Sequence, residues 1–530
     1  MSNRDYDVIT IGAGYTGLMT SALLARDGKK VCCLEMNDHV GGICSNAHEW
    51  PGYTHNRGAW YMMFLQIGWL WEALDLKKYG LELHHPPCGG VIIPEKGRTP
   101  FLLYHDRKEI FKYVGEAFGP EVLKGLMGFY KLFEPFAAVM GTAMRNPPMS
   151  IGQMIDAVPG IQAKDAMRRI FYGNVHSILD EYFPDKEKSA AIRGQLMTSG
   201  TDGFFGGPMT PGSALTIAYH TVAPDEGAGG GAYVLPKGHM GKFPEALADC
   251  LKDLGGEIHL NSEIKRIIIE KGEAVGVELV NGQQMTADVI VSSLDAYNTF
   301  INLVDHDLMD PYVVKQVKNI NYQEHLCQAY VALNGLPEFG PGPYEHLNDG
   351  GWRFMVALND PDLYETNWDL VKNGKIPEKF TGGGFYIPSM IDDTLAPAGH
   401  YSMSMFTLYG WPLGTPANKV EETKKIVGDR WMKHLKEYFP NLDSVVDDFK
   451  VQSPPDYERQ YHVTGGTWTH GMVQIDQMFN MRPILGMSDY RGPFKNMYLC
   501  GTSNHPGPGI TACQPVSCYN AINADAKKKK

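Results

Sequence analysis

The sequence predicts an α/β fold in which a discontinuous Rossmann-type domain is interrupted by an inserted α+β domain. Three observations indicate it: a strand–turn–helix–strand unit at the N-terminus, a helix and several strands in the middle of the chain, and an apolar strand followed by a Gly/Pro-rich turn near its end. We expect one domain from residues 1–60, 226–300 and 465–530. Residues 61–225 and 301–464 are expected to form the second, partly helical domain.

The overall composition is that of an ordinary globular protein. Of the 530 residues, 43% are hydrophobic and 20% are charged, and the net charge of −12 argues against a nucleic-acid partner. The longest nearly apolar stretch, Trp60–Trp71, is shorter than the roughly 20 residues of a membrane-spanning helix, and no signal segment precedes the first strand. Nine cysteines without a C-x-x-C pair indicate reduced thiols. We therefore expect a cytoplasmic protein.

The N-terminal unit consists of a strand, a turn, a helix and a second strand. A short apolar run ends at Ile11, helix-forming residues follow over Leu18–Arg26, and Lys30–Glu35 is typical of a buried strand. Because side chains alternate across a strand, the adjacent Cys32 and Cys33 should face opposite sides of the sheet.

The turn inside this unit carries the spacing Gly12-x-Gly14-x-x-Gly17. The first glycine permits a tight turn, the second lets the backbone approach a pyrophosphate, and the third allows helix and strand to pack closely. The helix that follows directs N–H groups and a partial positive charge at the phosphates. Glu35 ends the second strand, where a carboxylate accepts hydrogen bonds from a ribose 2′-hydroxyl and disfavours a 2′-phosphate. The sequence therefore predicts a dinucleotide site other than one for NADP.

Two further segments contain elements of the same domain. The middle segment predicts a helix over Lys242–Leu254, strands over Glu257–Leu260, Ile264–Ile269, Val275–Leu279 and Val289–Val291, and a hairpin turn at Asn281-Gly282. Near the C-terminus, an apolar strand over Met497–Cys500 runs into the turn Pro506–Gly509 and then a helix.

Residues from about Trp60 to Pro224 show a mainly helical pattern. Over Glu121–Met144, apolar residues recur at steps of three and four, which places them on one face of a helix. That face is either part of the core, the wall of a hydrophobic substrate tunnel, or a membrane-facing surface. Residues 301–464 have a mixed pattern that predicts no particular order of elements.

These motifs resemble, in order and spacing, those of the FAD-dependent amine oxidase and phytoene desaturase superfamily. The pair Gly41-Gly42 follows Glu35 as it does in that superfamily. Three further blocks are similar to its phytoene dehydrogenase-like members, of the pyridine nucleotide-disulfide oxidoreductase domain 2 type: Gly230–Gly241, His470–Pro483 and Asn496–Asn520. The resemblance thus covers both ends and the middle of the chain.

The resemblance implies FAD as the cofactor. By analogy, the glycine triplet holds the pyrophosphate and Glu35 the adenosine ribose, and Thr16 and Met36 are further FAD contacts. The other implied contacts are Gly42, Gly58, Ala59, Trp60, Ile264, Gly501, Thr502, Gly509, Ile510 and Thr511. The last three, at a helix start, would stabilise negative charge on the reduced flavin.

Two departures from the family pattern concern the active site. Asn56-Arg57-Gly58 stands where the family has Asp-x-Gly, and His239 replaces the second glycine of a G-G-M-G loop. These departures favour a substrate that is smaller or more polar than a carotenoid.

The chemistry implied by the resemblance is hydride transfer from a substrate C–H bond to flavin N5, which introduces a C=C bond in a mostly apolar small molecule. His470 and His239 are candidates for proton transfer because their motifs approach the flavin, and Tyr233 is a weaker candidate. The expected electron acceptor is a quinone, oxygen or another carrier. No metal site is expected.

Three alternatives stay open. A flavin amine oxidase would need an aromatic cage, for which Trp468, Trp60 and Tyr61 are available. A redox-neutral isomerase or hydratase would use reduced flavin without consuming an acceptor. A non-enzymatic module for prenylated proteins, similar to the GDP dissociation inhibitors and Rab escort proteins, would bind no FAD. A homodimer is compatible with the sequence, as is peripheral membrane contact through the basic tail Lys527–Lys530.

Overall fold

A computed structural model of the chain describes residues 4–60, 62, 73–86, 88–95, 97–144, 147–222 and 234–528. The strands are β1 (Tyr6–Ile11), β2 (Val31–Leu34), β3 (Asn46–Ala47), β4 (His55–Asn56), β5 (Leu83–His84), β6 (Gly90–Ile93), β7 (Phe101–Leu103), β8 (Leu235–Pro236), β9 (Glu257–His259), β10 (Ile264–Glu270), β11 (Glu273–Leu279), β12 (Gln284–Ser292), β13 (Cys327–Leu333), β14 (Met355–Leu358), β15 (Gly383–Tyr386), β16 (Tyr401–Thr407), β17 (Val446–Gln452) and β18 (Met497–Leu499). The helices are α1 (Tyr15–Arg26), α2 (Arg107–Ala117), α3 (Pro120–Ala143), α4 (Ile151–Ala157), α5 (Gly160–Tyr172), α6 (Val175–Tyr182), α7 (Ala190–Thr201), α8 (Ser213–Val222), α9 (Lys242–Asp253), α10 (Pro311–Lys318), α11 (Tyr364–Lys372), α12 (Val420–Lys436), α13 (Leu442–Val445), α14 (Pro454–Tyr461) and α15 (Cys513–Lys528).

The first sheet has seven strands in the order β10-β11-β12-β1-β2-β9, with β18 also paired to β12. Strands β9, β2, β1, β12 and β18 are parallel neighbours, and β10 to β12 form an antiparallel meander. All four residues of β2 are buried, as expected for a parallel strand covered on both faces. Cys32 and Cys33 pack into different apolar clusters, so the predicted alternation is confirmed. The predicted α/β fold class is confirmed.

Helices α1, α9 and α15 cover one face of this sheet and pack against one another or against its strands. Helix α1 begins at Tyr15, three residues earlier than the hydrophobic pattern predicts, because the chain enters the helix directly after Gly14. The predicted hairpin at Asn281-Gly282 connects β11 to β12, and Gly282 adopts a φ of 89° there. The segment Val289–Val291, predicted as a strand of its own, is the second half of the longer β12.

The second sheet has the order β17-β13-β16-β15-β14-β6-β7. Its pairs are antiparallel except for β14 with β6. Helix α12 packs on one face through Trp431 and Leu435. Helices α2, α3, α7 and α8 lie on the other side, and a cavity separates them from the sheet.

The mainly helical pattern of Trp60–Pro224 is only partly right. Strands β5, β6 and β7 lie in this region, and β6 joins the second sheet by pairing with β14. Gly90–Ile93 is fully buried. Such a short apolar run is as compatible with a buried strand as with a helix turn, so periodicity alone cannot separate them. The bounds of the two domains stay a prediction.

The amphipathic helix predicted over Glu121–Met144 is present as α3. Most of its apolar face belongs to the core: Phe133 is 2% exposed and Met140 is fully buried. Leu126 and Tyr130 line the cavity described above, and Met127 points to solvent. The apolar face of α3 therefore forms part of the core and part of the cavity wall. Within the described residues, no helix has the length and apolar character required to cross a bilayer.

Candidate active site

The glycine-rich turn after β1 forms one end of a cavity of about 640 Å³. Gly14 is the N-cap of α1, with φ −65°, and no described side chain caps the helix there. A Cβ built on Gly14 would have no described heavy atom within 4 Å, because it would point into the cavity. Protein packing therefore gives no reason for a glycine at this position, and a ligand that approaches the backbone does.

The other two glycines of the triplet are required by the fold itself. Gly12 has a φ of 90°, and a Cβ there would lie 2.5 Å from the Ser293 Oγ. A Cβ on Gly17 would lie 2.1 Å from the carbonyl oxygen of Gly12. Gly17 lies outside the cavity lining and allows α1 to pack closely against the turn.

The carboxylate of Glu35 is fixed in the wall of the same cavity. Its Oε2 accepts a hydrogen bond from the Ala13 N–H at 2.9 Å, and its Oε1 accepts two from Asn37, at 2.9 and 3.1 Å. The side chain is 6% exposed. A carboxylate offers about four acceptor positions, so Glu35 keeps acceptor capacity for a hydroxyl of a ligand.

The C-terminal motif meets the N-terminal one at this cavity. The Tyr15 hydroxyl, on the first residue of α1, donates to the Gly509 carbonyl at 2.9 Å. Thr502 and Ile510 also line the cavity. The following helix begins at Cys513, later than the start predicted at Gly509–Thr511. The Thr511 hydroxyl instead donates to the Gln514 side chain at 2.9 Å and lies behind the wall.

The predicted cofactor contacts converge on this one cavity except for Gly17, Gly501 and Thr511. The lining contains Gly12, Gly14, Thr16, Glu35, Met36, Gly42, Gly58, Ala59, Trp60, Ile264, Thr502, Gly509 and Ile510. Gly501 packs against the end of β12, where a Cβ would lie 2.4 Å from the Ser293 carbonyl oxygen.

Three ring nitrogens in the cavity lining are buried and have no hydrogen-bond partner among the described residues. They are Trp60 Nε1, Trp468 Nε1 and His470 Nδ1. Burial lowers the pKa of His470, an effect that Asp295 opposes and Arg482 reinforces, so the imidazole is neutral at pH 7. Two N–H donors and a neutral imidazole are therefore available to a polar ligand.

Arg482 holds the loops that carry these groups. Its side chain is fully buried, and its guanidinium donates to the carbonyl oxygens of Thr469, Gly471, Gln477 and Thr502. Thr469 and Thr502 both line the cavity. One buried arginine therefore ties together two segments of the cavity wall.

His239 does not reach this cavity. It is fully buried, its Nδ1 accepts from the Met240 N–H at 2.8 Å, and its Nε2 lies 2.9 Å from the Tyr386 hydroxyl. That hydroxyl donates in turn to Asn56 Oδ1 at 2.8 Å. Burial lowers the pKa of His239 to about 3. Tyr386 packs behind Trp60, with ring centroids 4.3 Å apart. This placement gives His239 a structural role. Tyr233, the weaker candidate for proton transfer, lies outside the described residues.

A second cavity, of about 230 Å³, adjoins the first. Trp60, Asp202 and Phe406 line both, and the rings of Trp60 and Phe406 meet edge-to-face with centroids 4.3 Å apart. The second cavity is walled mainly by apolar side chains of α2, α3, α7 and the second sheet. The two cavities together form one site, and the three shared residues Trp60, Asp202 and Phe406 form the junction between them.

Asp202 is the functional candidate that the sequence reasoning missed. It follows the last residue of α7 and carries the carboxylate at the junction. The pair Asp202-Gly203 indicates a turn in the sequence, and nothing in a turn dipeptide indicates chemistry. Glu324 is close enough that the carboxylate of Asp202 adds to the effect of burial, which raises the pKa of Glu324.

Comparison with known proteins identifies the family. The sequence profile of the family described as flavin containing amine oxidoreductase matches residues 15–340. The chain belongs to this family.

Several known proteins align with nearly the whole chain. The pyridine nucleotide-disulfide oxidoreductase domain-containing protein 2 of Mus musculus is 27% identical over 99% of this chain and 94% of its own length. The chloroplastic prolycopene isomerase of Daucus carota is 26% identical over 99% of this chain and 81% of its own. The lycopene-forming phytoene desaturase of a Paracoccus species is 23% identical over 95% and 94%.

The fold also has a match among solved structures. An oxidoreductase from Methanosarcina mazei superposes with a TM-score of 0.58 at 14% identity, covering 98% of this chain and 99% of the other. The protein is therefore an FAD-dependent oxidoreductase of the flavin containing amine oxidoreductase family, and the suspected phytoene desaturase-like relationship is confirmed. The non-enzymatic alternative is wrong, since the matched family is one of oxidoreductases.

The first cavity fits FAD on the evidence of its own residues. The empty space beside Gly14 suits a pyrophosphate, and the fixed carboxylate of Glu35 suits a ribose. The unpartnered nitrogens of Trp60, Trp468 and His470 suit the polar rim of a flavin ring. The individual cofactor contacts stay predictions.

Proposed function

We propose that this flavoenzyme removes two hydrogens from neighbouring carbons of a mostly apolar small molecule and leaves a C=C bond. The observation that carries the proposal is the junction of the two cavities at Trp60, Asp202 and Phe406. A substrate in the second, apolar cavity would place one end against the first cavity at that junction. The phytoene desaturase among the relatives supports the same reaction class.

The chemistry that bound FAD supplies is acceptance of a hydride from a substrate C–H bond, with a quinone or oxygen as the final acceptor of the electrons. The protein must handle the second hydrogen, which leaves the neighbouring carbon as a proton while its C–H electron pair forms the C=C bond. The carboxylate of Asp202 lies at the junction and accepts that proton. Trp60 and Phe406 press on the substrate at the same point and exclude water from it.

His470 has a different task in this scheme. It lines the first cavity only, and its lowered pKa keeps the ring neutral. A neutral imidazole with an unpartnered Nδ1 serves as a hydrogen-bond partner that orients a ligand without adding a charge.

A redox-neutral isomerase is the second candidate, because the prolycopene isomerase from Daucus carota aligns with nearly the whole chain. In that reaction Asp202 would return the proton to a different carbon, and the mass of the substrate would not change. The two candidates therefore differ in product mass and in consumption of an acceptor.

The test uses the FAD-loaded enzyme under anaerobic conditions. We would mix it with phytoene, with a medium-chain carboxylic acid, with prolycopene and with a medium-chain alkylamine, and follow flavin absorbance and product mass. The proposal expects one of the first two probes to bleach the flavin and to give a product two hydrogens lighter. Conversion without bleaching and without a change of mass would establish the isomerase, and bleaching by the amine alone would establish an amine oxidase. Reoxidation by oxygen or by a soluble quinone then identifies the acceptor.

Asp202→Asn tests the proton acceptor. We expect bleaching to slow by about 100-fold or more while the FAD content stays at the wild-type level. Asp156→Asn, at an exposed acid that lines neither cavity, is the matched control and should behave like the wild type. An unchanged rate in Asp202→Asn would refute the assignment.

A further inference from the structure

The second cavity is asymmetric in charge. Of the described residues that line it, Arg107 carries the one positive charge and Asp202 the one negative charge. Asp202 lies at the junction with the first cavity, whereas Arg107 is exposed and therefore lies at the outer mouth. The cavity thus has a cationic mouth and an acidic inner end.

The side chain of Arg107 is held in place without being neutralised. Its guanidinium carbon lies 4.8 Å from the centre of the Tyr130 ring, which also lines the cavity. Among the described residues, the contact of its guanidinium is with this ring and not with a carboxylate. The neighbouring Asp106 caps helix α2, since its Oδ1 accepts the Lys108 N–H at 2.7 Å. Five guanidinium N–H groups beside an aromatic ring form a good receptor for a carboxylate or phosphate.

Apolar side chains separate the two charges. Phe101, Ile110 and Leu126 are at most 8% exposed and line the wall between mouth and junction. Its volume of about 230 Å³ is about a third of the 640 Å³ of the first cavity. This volume suits a chain of medium length or one end of a longer hydrocarbon.

We propose that the substrate is an amphiphile, an apolar chain of medium length that ends in an anionic group bound by Arg107 at the mouth of the second cavity. This inference rests on the proposed function, because the other end of the chain then reaches the junction where dehydrogenation takes place. The orientation follows from charge: an anionic head would be repelled by the carboxylate of Asp202 and attracted by Arg107. The same two charges disfavour an alkylamine whose ammonium group lies at the mouth, beside Arg107.

The experiment measures binding, so it does not depend on turnover. The FAD-loaded enzyme is titrated calorimetrically with octanoate, octyl phosphate, octanol and octylamine. We expect one of the two anions, or both, to bind at least 10-fold more tightly than octanol, because a charge-assisted hydrogen bond is gained. The difference should shrink as salt is raised, since Arg107 is exposed.

The variants locate the effect. Arg107→Gln should weaken binding of the anion by about 10- to 100-fold and leave octanol unchanged. Arg107→Lys should retain part of the affinity. Lys108→Gln removes the same charge one residue further along α2, outside the cavity, and should bind like the wild type.

Three results would overturn the inference: octanol binding as tightly as the anions, no binding by any of the four probes, or an unchanged anion affinity in Arg107→Gln. Comparison of the two anions shows whether a carboxylate or a phosphate is the better head group. Anion binding through Arg107 without any dehydrogenation would refute the proposed function and leave only the anion site at Arg107 standing. Dehydrogenation of a neutral hydrocarbon without anion binding would refute this inference and support the proposed function.

Discussion

Replacement of Gly14 and Gly17 by alanine separates binding of the cofactor from stability of the fold. Gly14 has an ordinary φ of −65°, and its Cβ would meet no described atom within 4 Å. Loss of the glycine N-cap costs about 1 kcal/mol, and the reduced freedom of the unfolded chain offsets about 0.4–1 kcal/mol of that. We expect the free energy of unfolding of Gly14→Ala to stay within about 1 kcal/mol of the wild type.

The methyl group of Gly14→Ala would, however, occupy the space predicted for the pyrophosphate. Displacing one charge-assisted hydrogen bond between backbone and phosphate costs about 1.5–3 kcal/mol, which corresponds to roughly 10- to 100-fold weaker FAD binding. Gly17→Ala should behave in the opposite way. Its Cβ would lie 2.1 Å from the Gly12 carbonyl oxygen, so the turn must move by about 1 Å, at a cost of about 1–3 kcal/mol in stability.

The assay is a pair of measurements on each variant: urea unfolding of the apoprotein, and titration with FAD followed by quenching of flavin fluorescence. A Gly14→Ala protein that binds FAD like the wild type would refute the placement of the pyrophosphate at Gly14. A Gly17→Ala protein as stable as the wild type would refute the packing argument. The wild-type apoprotein is the reference for both.

Two further predictions concern buried groups. Arg482→Met removes five hydrogen bonds to four carbonyl oxygens, so we expect the protein to lose about 3–5 kcal/mol of stability and part of its FAD affinity, measured by the same unfolding and titration experiments. An exposed control, Arg168→Met, should lose neither. Burial lowers the pKa values of His55, His434 and His505 to about 4, so their neutral forms stabilise the fold fully above pH 6.5 and this contribution is lost as the pH falls from 6.5 towards 4. Urea unfolding at pH 7.5 and pH 5 should therefore show a loss of about 2 kcal/mol for each of these histidines at pH 5, and a stability that does not change over this range would contradict the reasoning.

The parts of the fold that the sequence predicts well are those set by neighbours in the chain. The turn at Gly12, the helix after it and the position of Glu35 all depend on residues within a single strand–helix–strand unit. Their spacing is dictated by a backbone that must turn tightly and leave room for a phosphate. The hairpin between β11 and β12 is likewise set by the Asn281-Gly282 pair.

The parts that could not be predicted depend on packing between distant segments. Strand β6 pairs with β14, which lies more than 260 residues further along the chain. Asp202 has catalytic potential only because α7 ends where the two cavities meet. His239 belongs to a motif that the resemblance places near the flavin, yet Trp60 and Tyr386 pack between it and the cavity. No local pattern carries such information, because each of these positions is decided by the side chains that a remote segment brings.

In the first sheet, the neighbouring strands β12 and β18 are far apart in the chain, which has a consequence for synthesis of the protein on the ribosome. The edge of β12 is completed by β18, which begins at Met497, 205 residues after β12 ends at Ser292. At about 5–20 residues per second, the nascent chain carries this open parallel edge for about 10–40 s before its partner is made. An exposed edge of this kind recruits other strands. Newly made chains therefore expose the three-residue edge 290–292 during that interval, and a chain that ends before Met497 never completes the first sheet.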